Sequence, residues 1–338
     1  MAREGEKRSH IRKRKKGCLT GCLTNILLLL GVAAAVFVGA HLLGFVKTDS
    51  TTGAPTISFD NIGIGNLPEI KLDDISLPDV SEWMDKLPKW AYHVESGGLT
   101  VKTLRAGDGE AVLVCADGYT MLLGAGSGTG VTLCAQVLLS GVNRLSAAVA
   151  MSGEDEQLGG MSLAMTLFKP EYLFVQETQI KGKAYANMID AAEKQGVKTV
   201  SSYQDLAFTL GRATVTFIGP ARKQHTDSRD DGLSLRIDYG ATSVVVMGGV
   251  TAAGEKEIVS SKASVKCNAL IAARGGSDAA TCAELAAAAQ PQTAFLTGKE
   301  PANSVRIRLQ KAGAQVYAAK ENGVMTLYSD GKTITVTP

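Results

Sequence analysis

The feature that most constrains this chain is a run of 24 residues without a formal charge, from Leu23 to Val46. A helix rises 1.5 Å per residue, so the run exceeds the ~20 residues needed to cross the hydrocarbon core of a bilayer. Its polar residues Asn25 and His41 lie near the two ends, where side chains can reach the headgroups. The run therefore predicts one transmembrane helix over residues 23–46.

The charges around this run predict its orientation. Eight Lys and Arg residues and two acids fall within residues 1–16. The chain beyond residue 46 holds 27 basic and 31 acidic residues, so the overall charge of +2 joins a tail of +6 to a remainder of −4. Basic flanks of membrane helices stay in the cytoplasm. We therefore expect residues 1–22 to be a cytoplasmic tail and the C-terminal domain to lie outside the cytoplasm, held at the cell membrane by a single span.

A cleaved signal peptide is the competing interpretation of the apolar run. The apolar core of such a peptide is typically ~7–15 residues and is followed by a small-residue cleavage site. The run here is longer, which favours an uncleaved anchor. The sequence Leu19-Thr20-Gly21-Cys22 is similar to a lipoprotein cleavage box, but it precedes the run instead of following it.

Beyond the run, the chain changes character at about residue 96. Residues 47–95 contain four of the nine prolines, which predicts a stalk or linker because each proline removes a backbone donor. From residue 96 to residue 338, short β-like runs alternate with glycine-rich turns and helical stretches. Two blocks of strands, each followed by helices, predict an α/β domain with two half-domains packed sheet to sheet and helices outside.

Two polar motifs in this domain suggest specific chemistries. Residues 124–130 (GAGSGTG) lie between a predicted strand and a predicted helix, where glycine-rich turns can cradle phosphate. No Gly-Lys-Ser/Thr ending follows, so a tight turn is the favoured interpretation. The acids Glu154, Asp155 and Glu156 follow another strand and could hold Mg²⁺ or Mn²⁺ through oxygen ligands, with a solvated acidic loop as the alternative. A second acidic loop, with Asp227, Asp230 and Asp231, is read as solvated.

The chain is poor in groups for nucleophilic or zinc chemistry. His10 lies in the basic tail and His41 in the apolar run, which leaves His93 and His225 for the folded part. No Ser-His-Asp triad or imidazole cluster can be assigned from these. The four cysteines of the domain fall in predicted strands or helices, where buried free thiols are common, and one disulfide is the alternative: Cys115, Cys134, Cys267 and Cys282.

Taken in order, the segments from Leu99 to Pro338 resemble the metallo-β-lactamase fold, in particular the soluble domain of ComEC-type competence proteins. Residues 104–113 resemble the opening VGQGDA motif, residues 121–126 the LIDAG turn, and residues 150–160 stand in the place of THxHxDHxGG. Later matches are to LGP, SLVLRLxYG, LLTGD, HHGS and GHP, at residues 217–220, 233–240, 245–249, 274–277 and 299–301. The resemblance implies a four-layer αββα sandwich after one N-terminal membrane helix.

This sequence matches the family at its glycine and apolar positions, but it has a different residue at every position where the family has a metal ligand. The family's chemistry uses paired cations that supply a hydroxide nucleophile and hold the substrate oxygen. The positions that stand where the family has its ligands are Gly124, Ser152, Glu154, Glu156, Gln157, Gly249, Arg274, Gly275 and Glu300. This implies a domain with no catalytic residue, no metal ligand, no cofactor and no tightly bound zinc. Arg274 is expected to point into the same cleft, where its charge would compete with a cation.

These observations predict a membrane-anchored extracytoplasmic binding or scaffold protein that is catalytically inactive. Its partner is expected to be a protein or, by analogy with the family alone, DNA. The net charge of −4 beyond the apolar run does not favour nucleic acid, whose binding needs clustered Lys and Arg. The alternative is an active metal-dependent hydrolase, of phosphodiesterase or nuclease type, with an unconventional carboxylate site.

Overall fold

The computed structural model describes residues 46–48, 55–57, 70–71, 97–107, 110–177 and 182–337. The chain divides into two compact units, Met1–Asp79 and Val80–Pro338. In the first unit, three short antiparallel strands form one sheet: β1 (Val46–Thr48), β2 (Pro55–Ile57) and β3 (Ile70–Lys71). All three lie at or within the segment predicted to be a linker, and Pro55 takes the first position of its strand, where a missing donor is tolerated.

The predicted membrane helix at residues 23–46 lies outside the described residues, apart from its last position. Val46 begins strand β1, so the expectation that a helix reaches this residue is wrong. In the part of the chain that the structure describes, no helix has both the length and the apolar character needed to cross a membrane.

An eight-stranded mixed sheet forms the first half of the second unit. Antiparallel pairing runs from β18 to β6 and parallel pairing from β6 to β9, in the order β18-β17-β4-β5-β6-β7-β8-β9. Parallel neighbours need a crossover, and helices supply one between each pair. The strands are β4 (Leu99–Thr103), β5 (Val112–Ala116), β6 (Tyr119–Leu123), β7 (Ala147–Val149), β8 (Tyr172–Gln176), β9 (Lys198–Ser202), β17 (Thr326–Ser329) and β18 (Ile334–Thr337), and the helices are α1 (Val131–Leu139), α2 (Asp155–Leu158), α3 (Met161–Phe168) and α4 (Lys183–Lys194).

A seven-stranded mixed sheet forms the second half, in the order β10-β11-β12-β13-β14-β15-β16. Pairing is antiparallel from β10 to β13 and parallel from β13 to β16, and helices again form the crossovers between the parallel strands. The strands are β10 (Ala207–Leu210), β11 (Ala213–Gly219), β12 (Ser234–Tyr239), β13 (Thr242–Val246), β14 (Ala269–Ile271), β15 (Thr293–Leu296) and β16 (Gln315–Ala318), and the helices are α5 (Ala252–Ser260), α6 (Ala283–Ala289), α7 (Asn303–Lys311) and α8 (Ala319–Asn322).

Three apolar clusters define four layers. The central cluster joins the two sheets, with Val114 and Met121 of the first packed in one core with Phe217 and Leu235 of the second. A second cluster joins the outer face of the first sheet to α1, α3 and α4, and a third joins the outer face of the second sheet to α5, α6 and α7. This is an αββα sandwich, which fits the metallo-β-lactamase-like fold that the resemblance implied.

Candidate functional site

The residues singled out in the sequence follow the carboxyl ends of parallel strands. Ser152 and Glu154 follow β7, Gly249 follows β13, and Arg274 follows β14. Adjacent parallel strands deliver their carboxyl ends to one edge of a sheet, which is where α/β proteins commonly place their sites. The fold therefore brings loops from both halves to the same end of the sandwich.

An ion pair between Arg274 and Glu154 occupies this edge. The Arg274 Nη1 atom donates to Glu154 Oε2 at 2.7 Å and to the Gly249 carbonyl oxygen at 2.8 Å. Arg274 lies in the short 3-10 helix Ala273–Gly276 with a φ of 51°, a left-handed conformation that is uncommon for a residue with a side chain. The pair connects the first half of the sandwich to the second, and it places the Arg274 side chain beside Glu154, where the sequence predicted it.

Gly249 is closely packed against Ser152. A Cβ atom at position 249 would lie 2.7 Å from Ser152 Cβ and 2.8 Å from Ser152 Oγ, closer than real Cβ contacts allow. Ser152 is fully buried, and its hydroxyl accepts a hydrogen bond from the Glu154 amide at 3.2 Å. Position 249, where the resembled family has a bridging aspartate, therefore has no room for a side chain in this packing.

Glu110 is a buried carboxylate at the same edge that sequence reasoning missed. Its carboxylate accepts hydrogen bonds from the Gly275 amide and, at 3.2 Å, from the Thr297 hydroxyl. Burial raises the pKa of Glu110 to about 7, although the two hydrogen bonds and the charge of Arg274 act in the opposite direction. Glu110 stands at the acid of the segment matched to VGQGDA, and this match is the sequence signal that could have singled it out.

Two of the three carboxylates proposed for a cation site are already used separately. Glu154 pairs with Arg274, whereas Asp155 Oδ1 accepts from the Ala184 amide at 3.2 Å, at the start of α4. The side chain of Glu156 lies outside the described residues. The acidic segment is not a loop, because residues 155–158 form the short helix α2. Asp155 is exposed on this helix, as the solvated interpretation expects, whereas Gln157 and Leu158 are buried.

The remaining predicted positions have separate structural roles. The Gln157 side chain accepts from the Glu110 amide at 3.1 Å, and the Gly124 amide donates to the Val149 carbonyl at 3.0 Å. Glu300 lies on the surface and pairs with Lys320 at 2.6 Å. The structure thus brings together four of the predicted positions: Ser152, Glu154, Gly249 and Arg274. Gln157 and Gly275 are linked to this group through hydrogen bonds with Glu110. Glu300 lies apart from it.

The glycine-rich segment at residues 124–130 is a tight turn. Gly126 has a φ of 62°, and a Cβ atom there would lie only 1.9 Å from the Ala106 carbonyl oxygen. Its amide donates to the Glu110 carbonyl at 3.1 Å. The glycine is required by the close approach of another backbone segment, so the favoured interpretation of this motif is supported over a phosphate cradle.

Two of the three acids of the second acidic segment are buried, against the expectation of a solvated loop, whereas Asp227 is partly exposed. Asp230 and Asp231 lie in the 3-10 helix Ser228–Asp231 and are 5% and 3% exposed. Asp230 Oδ1 accepts from the amide and the hydroxyl of Thr251, both at 2.8 Å. The His225 ring lies between Asp231 Oδ1 at 2.8 Å and Glu257 Oε2 at 3.0 Å. Long-range partners, which no local pattern reveals, explain the burial.

The described residues do not fit the pair of metal ions that the fold implies. Zinc sites of this kind need neutral imidazoles and a carboxylate bridge. Within the described part of the chain, no three His, Cys, Asp or Glu side chains are grouped so that they could hold a metal ion. The guanidinium of Arg274 places a fixed positive charge beside the Glu154 carboxylate.

The four cysteines of the domain are free thiols. Cys134, Cys267 and Cys282 are buried and Cys115 is partly buried, so the disulfide alternative is wrong for this structure. Burial raises the pKa of the Cys134, Cys267 and Cys282 thiols to about 12 and that of Cys115 to about 11. Thiolate chemistry at these four positions is therefore not indicated.

Comparisons with known proteins bear on the fold alone. No protein-family model matches the chain, and no curated protein matches it. Among solved structures, the metallo-β-lactamase fold protein YhfI from Bacillus subtilis is 15% identical over 67% of this chain and 98% of its own, with a TM-score of 0.47. Igni18, a metallo hydrolase from Ignicoccus hospitalis, is 14% identical over 71% of this chain and 99% of its own, also with a TM-score of 0.47. CmlA, a diiron β-hydroxylase from Streptomyces venezuelae, is 10% identical over 70% of this chain and 55% of its own, with a TM-score of 0.46.

Proposed function

We propose that this chain is a binding or scaffold protein that carries a metal-free, metallo-β-lactamase-like domain. The observation that carries the proposal is the contact of Arg274 with Glu154 and with the Gly249 carbonyl. In a dinuclear hydrolase, cations would hold the loops of the two halves together and activate water. Here a guanidinium makes the connection, and it cannot supply a metal-bound hydroxide.

Membrane anchoring outside the cytoplasm is the second part of the proposal. It rests on the uncharged run at residues 23–46 and on the eight basic residues that precede it. The experiment is to fuse a reporter that is active only outside the cytoplasm to the C-terminus, with a matched reporter that is active only inside. Activity of the outside reporter and its retention in the membrane fraction are expected. Activity of the inside reporter would contradict the proposed orientation.

Metal content tests the first part. The full chain, purified in detergent, is incubated with Zn²⁺ and Mn²⁺, freed of unbound metal and measured by mass spectrometry. We expect well below one equivalent of either metal per chain, and no hydrolysis of a chromogenic phosphodiester above the buffer blank. Stoichiometric metal would support the alternative, a hydrolase with a carboxylate site, whose observed difficulty is that Glu154 and Asp155 have separate partners.

A protein partner is favoured over DNA at this stage. The chain beyond the apolar run is net acidic, and phosphate backbones are bound by clustered basic side chains. Filter binding of labelled duplex DNA at low salt is the check, and retention on the filter would reverse this preference. Recovery of a defined protein by crosslinking in intact membranes is the expected positive result.

A further inference from the structure

A cavity lies at the amino ends of the parallel strands of the first sheet, at the opposite end from the Arg274 contact. It encloses about 360 Å³, which is in the range of pockets that hold small ligands. Tyr119, Ala147 and Tyr172 on its wall are the first residues of β6, β7 and β8, and the second sheet contributes residues 208–210 of β10. Both halves of the sandwich therefore form this cavity.

Aromatic rings from both sheets form much of the cavity wall. The rings of Phe174 and Phe208, one from each sheet, stack with centroids 4.4 Å apart and planes 12° apart. Tyr172 stacks on Phe174 at 6.3 Å, and the exposed fraction rises from 6% at Phe174 to 38% at Tyr172. Tyr119, also on the wall, is 55% exposed. The rings thus run from the core to the surface, where aromatic area is left for a planar ring to stack on.

Among the residues that line this cavity, Glu171 is the one with a charged side chain. Its backbone is fixed, because its amide donates to the Ser146 carbonyl at 3.2 Å and its carbonyl accepts from the Lys198 amide at 3.1 Å. Its side chain is exposed and forms no hydrogen bond or ion pair with another residue that the structure describes. A carboxylate without a partner beside aromatic rings favours an organic cation.

A cation already lies on one of these rings. The Lys198 ammonium is 5.4 Å from the centroid of the Tyr172 ring, within the range of a cation–π contact. Lys198 is the Cα partner of Tyr172 in the β8–β9 ladder, so the two side chains lie on the same face of the sheet. The Tyr172 ring therefore attracts positive charge, and Lys198 would compete with a cationic ligand.

We propose that this cavity binds a planar aromatic amine, with its ring stacked on Tyr172 and its ammonium group donating to the Glu171 carboxylate. Such a compound matches both features of the wall, since the ring covers exposed aromatic area and the ammonium neutralises the acid. An aromatic carboxylate would cover the rings but would be repelled by Glu171. The inference goes beyond the proposed function, because the cavity shares no residue with the Arg274 contact.

The experiment is calorimetric titration of the full chain in detergent with tryptamine, at low ionic strength, with a titration of protein-free micelles subtracted. One saturable site is expected. Tyr172→Leu should weaken binding by about fivefold through loss of ring stacking, whereas Tyr172→Phe should retain most of the affinity. Glu171→Gln should weaken binding by about threefold, the scale of an exposed ion pair. Lys198→Gln should strengthen binding, because it removes the competing ammonium.

Two matched controls separate the site from general effects of these substitutions. Tyr328 is 37% exposed on β17 and Glu193 is exposed on α4, and neither lines the cavity. Tyr328→Leu and Glu193→Gln should both bind tryptamine with the affinity of the parent protein.

Three outcomes would overturn this inference. They are the absence of saturable tryptamine binding, an affinity of Tyr172→Leu no lower than that of Tyr328→Leu, and binding of indole-3-acetate at least as tight as that of tryptamine. The last would show that the cavity takes aromatic compounds without a role for the Glu171 charge. Because no metal takes part in this titration, its failure is distinguishable from the result of the metal measurement, which tests the proposed function.

Discussion

Arg274 and Glu154 meet at 2.7 Å although they lie 120 positions apart in the chain and in different halves of the sandwich. Both side chains are mostly shielded, at 21% and 28% exposed, so the pair is screened less by solvent than the surface pairs of this domain. The guanidinium also donates a hydrogen bond to the Gly249 carbonyl oxygen. One side chain thus satisfies two acceptors from separate loops.

Arg274→Met is expected to lower the free energy of unfolding by about 1–3 kcal/mol, because it leaves the shielded Glu154 carboxylate and the Gly249 carbonyl without this donor. Urea denaturation measures this change in the free energy of unfolding. Glu154→Gln and the double variant complete a cycle that isolates the pair. The matched control is Arg222→Gln, whose side chain is 61% exposed and whose loss should cost less than about 1 kcal/mol. Equal losses of unfolding free energy in Arg274→Met and Arg222→Gln would contradict the role of Arg274 in connecting the two halves.

Glu110→Gln is expected to change the pH dependence of stability. The folded pKa of about 7 lies above the ordinary 4.5, so the folded state holds the proton more tightly. The stabilisation is complete below pH 4.5 and is lost as the pH rises through 7, by at most roughly 3 kcal/mol. Gln keeps the acceptor oxygen, so the variant should be more stable than the parent at pH 8.

Denaturation at pH 5 and pH 8 tests this expectation. Burial also raises the pKa of Glu255, so part of the decline with pH should persist in Glu110→Gln. If the parent protein became more stable from pH 5 to pH 8 while the stability of the variant stayed the same, the assignment to Glu110 would be refuted.

His225→Ala is expected to destabilise the domain by about 2–4 kcal/mol, since it leaves the buried Asp231 carboxylate without its ring partner and opens a cavity. The His225 side chain is 5% exposed. Arg222→Gln is again the comparison, because Arg222 binds the same Glu257 from the solvent side. Thermal unfolding at pH 7 measures both. A loss below that of Arg222→Gln would show that the His225 contacts contribute little.

Gly126→Ala and Gly196→Ala form a matched pair. Both glycines have positive φ, 62° and 69°, so both variants carry the same backbone strain. A Cβ atom at Gly126 collides with the Ala106 carbonyl, whereas one at Gly196 meets nothing within 4 Å. Gly126→Ala should therefore cost about 1–3 kcal/mol more than Gly196→Ala, as overpacking does. Equal unfolding midpoints would mean that the turn can open.

The domain thiols should react slowly in the folded protein. Burial raises the pKa of Cys134, Cys267 and Cys282 to about 12, so almost no thiolate is present at pH 8. Alkylation followed by peptide mass spectrometry should label these three only after denaturation. Rapid labelling of any of them in the folded state would contradict the burial described above.

Much of the sandwich could be predicted from the sequence, because apolar runs bounded by glycine turns marked most strands. Helix α3 was missed although Met161, Ala164, Met165 and Phe168 follow helical spacing and are buried. The position of Arg274 beside Glu154 was predicted by alignment with the family's ligands. Its contact with Gly249 and the role of Glu110 depend on packing between the halves, which no local pattern contains.

The packing of Gly249 on Ser152 has a consequence for protein engineering. Installing a dinuclear centre by adding ligands one at a time would fail at the first carboxylate, because a side chain at position 249 would displace Ser152 and, with it, the hydroxyl that holds the Glu154 amide. Ser152 and Arg274 would both have to be replaced before, or together with, the addition of a carboxylate at position 249. A designer would need a coordinated set of substitutions, each unfavourable without the others.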